Sequence, residues 1–333
     1  MKALLSLTAG PPETLEISDI PPPVLGRGEV LITVFACALN FPDLLVIEDR
    51  YQYRPARPFA PGSEVAGIVE AIGDGVSGWS PGDRVVAQMY HGGLAEKAIV
   101  EAGKLAALPA NRSFIEGASL VLPYGTAYHA LTDRARLAAG ETLLVLGASG
   151  SVGRAAVEVG KALGARVVAA VSSQAKAEAA RAAGADEIMI YPRPPFTPEE
   201  RQKLAQAFKA HVGAGGADVI CDPVGGPYSE AALRAIGWDG RFLAIGFTAG
   251  IASLPLNLLL MKRCQAIGIF WGPYMERFPD HYRQQVQALF ALWDAGRIQP
   301  CVSRTYPFEQ AAQALRELAD GTTLGRIVIG VAG

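Results

Sequence analysis

Apolar and polar positions change their spacing about a third of the way along the chain. Through the first 120 residues, short apolar segments such as EVLITVFA, EVAGIVEAIG, DRVVAQM and EKAIVEAG are bounded by turns rich in Pro and Gly. That pattern predicts a compact, mostly antiparallel β domain over residues 1–121. From about residue 126 helical and extended stretches alternate, as in TLLVLG, SVGRAAVEVGKALG, ARVVAAV, AKAEAARAAG, EIMIY, PEERQKLAQAFKAH and ADVICD. Apolar strands separated by helices of that length pair in parallel through right-handed crossovers. A doubly wound sheet follows.

Six strands can be counted between residues 122 and 271, as two mononucleotide-binding halves of a Rossmann domain require. After them FPDHYRQQVQALFALWDAG reads as helix, CVSRTY as extended, FEQAAQALRELADG as helix with a Gly stop, and GRIVIGV as a strand. Residues 272–333 are expected to rejoin the first domain and complete it.

Composition narrows the function more than the fold. With 333 residues the chain has room for two domains, and its net charge of −2 comes from well-mixed acids and bases. No basic stripe tracks a nucleic-acid backbone, so nucleic acid is not an expected partner. MKALLSLTAG is followed at once by the acidic PPETLEISDI, which denies it the apolar core of a signal peptide, and no apolar run reaches membrane-spanning length. A cytoplasmic protein with no membrane partner is expected. The four cysteines stand far apart without a CxxC pair, and the four histidines share no ligand spacing with them, so neither a disulfide framework nor a metal site is indicated.

The candidate chemistry begins at LLVLGASGSVGRAA, residues 143–156. A lone glycine fingerprint is weak, but here a strand precedes it, a helix follows, and a second strand closes a βαβ unit of about thirty residues. Ala148, Gly150 and Gly153 occupy the three fingerprint places; Ser149, Ser151 and Val152 complete the loop, whose following helix offers unpaired N–H groups to phosphate. An NAD enzyme carries an acid about twenty residues further on, at the end of the second strand. VVAAVSSQAK has Ser172 and Ser173 there, with Lys176 one turn later. Hydroxyls and an ammonium accommodate a 2′-phosphate that a carboxylate would repel, so NADPH is the expected cofactor. The competing reading makes the serines a helix cap and Lys176 a solvated charge.

With both halves read, the chain resembles the zinc-free quinone oxidoreductase branch of the medium-chain dehydrogenase/reductase superfamily, which includes zeta-crystallin. The resemblance rests on ordered blocks over nearly the whole chain: NFPDLLVIEDRY (40–51), PGSEVAGIVEAIGDGV (61–76), PGDRVVA (81–87), GGLAEKAIV (92–100), YGTAYHAL (124–131), GASGSVGRAAVEVGKALGARVVA (147–169), GAD with Tyr191, and DPVGG (222–226). It implies an α/β protein: a GroES-like β domain plus a doubly wound Rossmann domain, with the active site in the cleft. Zinc alcohol dehydrogenases share the architecture, but where they carry their catalytic Cys and His this chain has Asn40 and Ser63, and the third ligand position falls near Leu122. No metal is expected.

The resemblance also implies site residues. Asn40, Tyr51 and Thr126 are the expected catalytic positions, with Thr126 under the nicotinamide and Asn40 and Tyr51 beside the substrate oxygen, although NFPD also reads as a plain helix start and Tyr53 competes with Tyr51 as the phenol that faces substrate. Tyr191, Gly246, Phe247 and Phe270 join the glycine loop, Ser172 and Lys176 as cofactor contacts. The expected reaction is hydride transfer from NADPH to a quinone or α,β-unsaturated carbonyl. A 2-enoyl-thioester reductase and a non-catalytic NADPH-binding protein stay open as alternatives. The segment QAIGIFW, from Gln265 to Trp271, is expected to pair with a second copy and make a homodimer.

Overall fold

The computed structural model describes residues 1–321 and 324–332, in two compact units. The first comprises Met1–Leu122, Met275–Val286 and the chain from Pro300 onward; the second comprises Pro123–Tyr274 and Gln287–Gln299.

In the first unit β1 (Lys2–Ser6) and β2 (Leu15–Asp19) form an antiparallel pair. The main sheet is built on β3 (Glu29–Ala38), β4 (Glu64–Ile72), β5 (Arg84–Gln88), β6 (Lys97–Glu101) and β7 (Leu105–Ala107), all antiparallel to their neighbours. β3 is buried along most of its length, which is why EVLITVFACA is apolar at consecutive positions and not only at alternate ones. It sits so close to β4 that a Cβ on Gly67 would lie 2.1 Å from the Thr33 carbonyl oxygen. Ile32, Val34, Val65, Val85 and Leu94 pack the interior with Ile327 and Leu315 from the end of the chain.

The second unit carries β8 (Thr142–Leu146), β9 (Arg166–Val171), β10 (Glu187–Ile190), β11 (Ala217–Asp222), β12 (Ile236–Ala244) and β13 (Gln265–Gly268). Their order is β10-β9-β8-β11-β12-β13, every pair parallel. This is the doubly wound sheet expected from the alternation of strands and helices, with its switch point between β8 and β11. Helices Ser151–Ala162, Gln174–Ala182 and Pro198–Val212 connect the strands. Pro198–Val212 starts where RPPFTPEE predicts: Thr197 accepts from the Glu200 N–H at 3.2 Å while the Glu200 carboxylate accepts from the Thr197 N–H at 2.7 Å.

The chain's end returns to the first unit's sheet. There β14 (Val302–Pro307) lies parallel to β15 (Arg326–Gly330), and β15 pairs antiparallel with β3. Among the described residues no helix is long and apolar enough to cross a membrane.

Candidate functional site

The second unit builds a tight glycine turn at the C-terminal end of β8. Gly147 turns the chain with φ 57°, and a Cβ on Gly153 would meet the Gly147 carbonyl oxygen at 2.2 Å, so the helix approaches the strand as only a glycine there allows. The tight-turn role therefore falls to Gly147; Ala148, which holds the first fingerprint place, is wholly buried. Gly150 is the N-cap of Ser151–Ala162 and has no side chain to cap it, leaving the first N–H groups and the positive dipole end available. The only atom within 4 Å of a Cβ built on Gly150 is the Gly147 oxygen at 3.4 Å, so the space above the loop is open to a ligand's oxygens. These residues fit a dinucleotide pyrophosphate.

A second turn, DPVGG, faces the same end of the sheet after β11. Asp222 is buried and accepts from the N–H groups of Val224 and Gly225 at 2.9 and 2.8 Å and from the Ser229 hydroxyl at 2.5 Å. Burial pushes its carboxyl pKa up, and those three donors oppose the rise. Asp222 is a turn-holding residue that pattern reading missed, although an acid at a strand end directly before Pro and two glycines was a visible signal. Gly246 lies so near this turn that a Cβ would be 2.9 Å from the Pro223 oxygen. Phe247 and Phe270 are both about half exposed.

At the ends of β9 and β10 stand Ser172, Lys176 and Tyr191, the residues expected on the adenosine side. The Tyr191 N–H donates to the Val171 carbonyl at 2.8 Å, which sets the residue after β10 beside the start of Ser172–Ser173. Ser173 caps the helix Gln174–Ala182, its hydroxyl accepting from the Lys176 N–H at 3.4 Å. The cap reading thus holds for Ser173, while Ser172 and the half-buried Lys176 side chain stay beside it. Tyr191 is 6 % exposed and packs its ring 4.7 Å from that of Tyr228.

In the first unit, the three positions that would ligate zinc in an alcohol dehydrogenase do come together, but around a hydrogen-bonded charge network. Asn40 precedes the helix Phe41–Ile47, and its N–H donates to the Asp43 carboxylate at 2.7 Å. Its side-chain amide donates to the Ala38 carbonyl at 3.2 Å and to the Ser63 hydroxyl at 3.4 Å, while its amide oxygen accepts from Arg326 at 2.5 Å. Arg326 also donates to the Glu64 carboxylate, whose other oxygen accepts from the Leu122 N–H at 2.8 Å. Asn40, Asp43, Ser63, Glu64 and Arg326 are all buried. Burial is the main cause that lifts the Asp43 pKa to about 6 and the Glu64 pKa to about 7, against the pull of Arg326 on each. Glu64 and Arg326 are the neighbours of Asn40 that sequence reading missed.

Tyr51 packs half-buried against the first unit's core; burial first and the Asp43 carboxylate second raise its pKa, so it stays a protonated phenol at neutral pH. Tyr53 is engaged elsewhere: its hydroxyl is 3.2 Å from His91 Nδ1 and its ring stacks on Tyr90 at 4.6 Å. Thr126 belongs to the second unit, buried in the helix Val121–His129, which runs on into a π-helical turn, Ala130–Arg134. Such turns are frequent at functional sites. Gly125 presses this helix onto Trp271, where a Cβ would lie 2.6 Å from the indole ring.

Among the described residues, no cluster of three or more His, Cys, Asp or Glu is arranged to hold a metal ion. Residues 26–110 match the alcohol dehydrogenase GroES-like domain and residues 183–329 the zinc-binding dehydrogenase family. Quinone oxidoreductase-like protein 2 of Bos taurus is 34% identical over 95% of this chain and 88% of its own length. The quinone oxidoreductase of Homo sapiens is 30% identical over 99% of this chain and 97% of its own. A mycobacterial protein solved in complex with NADPH is 28% identical, superposes with a TM-score of 0.91, and covers 99% of both chains.

Proposed function

The chain belongs to the quinone oxidoreductase branch of the medium-chain dehydrogenase/reductase superfamily, and from that premise we propose that it is an NADPH-dependent, zinc-independent reductase of quinones or α,β-unsaturated carbonyls. It is an oxidoreductase that binds a nicotinamide cofactor. The observation that carries the finer reading is the cradle: an uncapped helix start at Gly150, a turn closed by Gly147 and Gly153, and Ser172 with Lys176 where an NAD enzyme would hold an acid.

Bound NADPH supplies a hydride from C4 of its nicotinamide. Gly150 and the first N–H groups of Ser151–Ala162 hold the pyrophosphate, and Ser149, Ser151 and Val152 shape the loop around it. Lys176 and Ser172 would meet the 2′-phosphate with Tyr191 on the adenosine side, and Thr126, Gly246, Phe247 and Phe270 would serve the nicotinamide side. Negative charge builds on the acceptor's oxygen as hydride arrives, and a donor aimed at that oxygen lowers the barrier. Tyr51 is that donor. Asn40 has its amide spent on Arg326, Ala38 and Ser63, so it acts as a positioning residue that fixes the start of Phe41–Ile47 and the wall carrying Tyr51. Reduction of a conjugated acceptor needs no Lewis acid of the kind an alkoxide demands, because the charge spreads over the conjugated system.

Steady-state assays with a quinone, a small enone and an enoyl-CoA, each with NADPH and NADH and each before and after chelator treatment, test this reading. Turnover of the quinone or enone with NADPH, insensitive to chelator, is expected. Turnover confined to enoyl-CoA, loss of activity with chelator, or no turnover at all would refute it.

A further inference from the structure

Beyond Ser172, Lys176 and Tyr191, the adenosine end of the cradle has a cation that the glycine fingerprint does not point to. The chain leaves β10 as Tyr191-Pro192-Arg193, and the Tyr228 hydroxyl donates to the Pro192 carbonyl at 3.1 Å, pinning the backbone one peptide before Arg193. Phe196 packs edge-on against the same Tyr228 ring at 5.5 Å and holds the far side of the loop. A two-point anchor of this kind makes the Arg193 position a property of the fold and not of a free loop. Arg193 itself is exposed and makes no hydrogen bond or ion pair among the described residues.

Across from it stands Lys176, on the first turn after β9, the strand that pairs with β10 in the register Ile190↔Val171. The two cations are close enough that Arg193 is the charge acting on the Lys176 ammonium, adding to burial in lowering its pKa; Arg193 acts on the Tyr228 phenol as well. Two positive charges set side by side repel each other in the free protein. A doubly charged anion between them converts that repulsion into two attractions. A phosphate monoester carries about −1.5 to −2 at pH 7.

We infer that Arg193 is a specificity-determining residue that clamps the 2′-phosphate of NADPH from the side opposite Lys176, its guanidinium supplying a forked pair of donors to the phosphate oxygens. The inference rests on the NADPH reading above and deepens it: discrimination against NADH comes from a two-cation clamp and not from Lys176 alone. Tyr191, buried with its ring against Tyr228, then shapes the floor while Arg193 provides the charge.

Calorimetric titration of the intact protein with NADPH and with NADH separates the possibilities. For Arg193→Ala the Kd for NADPH should rise by about tenfold or more while the Kd for NADH stays within about twofold, and Arg193→Lys should recover part of the loss. Lys176→Ala should behave alike, and the double variant should bind the two cofactors with nearly equal affinity. An Arg193→Ala protein with unchanged NADPH affinity, beside a Lys176→Ala protein that loses it, would overturn the clamp and leave the NADPH reading standing. Equal losses for both cofactors would show a merely structural loop residue and overturn it too. A wild-type protein that binds NADH as tightly as NADPH would overturn the cofactor reading and the clamp together.

Discussion

The guanidinium of Arg326 donates to the amide oxygen of Asn40 at 2.5 Å, joining two residues 286 positions apart at the spot where the superfamily's zinc enzymes place their first metal ligand. A fixed cation thus stands among Asn40, Ser63, Asp43 and Glu64, and it is the partner that makes a buried Glu64 tolerable. Removing one member of such a pair leaves the other charge buried and uncompensated, which costs about 3–5 kcal/mol. Arg326→Met should lower the urea midpoint accordingly. Changing Glu64 to Gln in the same protein should restore part of the loss, since no lone carboxylate is left behind. An Arg326→Met protein that unfolds at the wild-type midpoint would show that the pair contributes nothing.

The same cluster sets a pH dependence. Asp43 and Glu64 titrate near 6 and near 7 in the folded protein, above the values near 4 of carboxyls in an unfolded chain. Between those limits the native state binds more protons than the unfolded one, so the contribution is fully present below about pH 4 and is lost as pH rises through 6 to 7. Asp43→Asn removes its share of that loss. The gap in melting temperature between wild type and Asp43→Asn should therefore narrow from pH 5 to pH 8. A gap that widens over this range would mean that Asp43 is held below, and not above, its unfolded pKa.

The sheet of the second unit was legible because each of its strands is a local apolar run between helical segments; Thr197 and Glu200 show the start of one helix within four residues of sequence. The glycine loop was legible for the same reason, apart from which glycine turns the chain: Gly147 and Ala148 adjoin, and only the backbone angle separates their roles. What local pattern could not show is any contact made across the sequence. Arg326 lies in GRIVIGV, where one charge at a strand start looks like an ordinary edge residue until β15 is placed against β3. Arg193 sits in a proline-rich loop whose path depends on Tyr228, 35 residues further along. Asn40 looked like a free donor because its side-chain partners, Ala38, Ser63, Glu64 and Arg326, come from three strands or their flanks.

The outer edge of the second unit predicts self-association. β13 is the last strand of the parallel sheet, and Gln265, Ala266 and Gly268 along it are exposed with open backbone groups. Beside it in the chain, the helix Leu256–Lys262 buries none of its residues, with Leu256, Leu260 and Met261 each more than 60% exposed. An open strand edge next to exposed leucines is an aggregation hazard unless a partner covers it. The strand ends at Gly268, short of the expected Trp271, which is buried at the start of a helix; a second copy paired along β13 covers its open edge, and light scattering at micromolar concentration should report twice the chain mass. Leu260→Glu should shift the protein toward monomer. A monomeric wild type would count against the pairing.

Tyr51 decides how far the protein, beyond positioning its reactants, assists the chemistry. Of the two phenols near the end of NFPDLLVIEDRYQY, Tyr53 is occupied by His91 and Tyr90, whereas Tyr51 packs against the core in the field of Asp43. Its raised pKa keeps the proton on the oxygen at neutral pH, which is the state a donor to a developing oxyanion needs. Tyr51→Phe removes that donor and little packing. For an enone, kcat should fall by roughly 10²-fold with the KM for NADPH unchanged, the size expected when one oxyanion donor is lost. A quinone should suffer less, because the anion formed from it is an aromatic phenolate, already well stabilised. Tyr53→Phe should leave both rates near wild type. Should Tyr51→Phe keep its full kcat on both acceptors, Tyr51 is a wall residue, and hydride positioning by Thr126 and the cofactor contacts accounts for the catalysis alone.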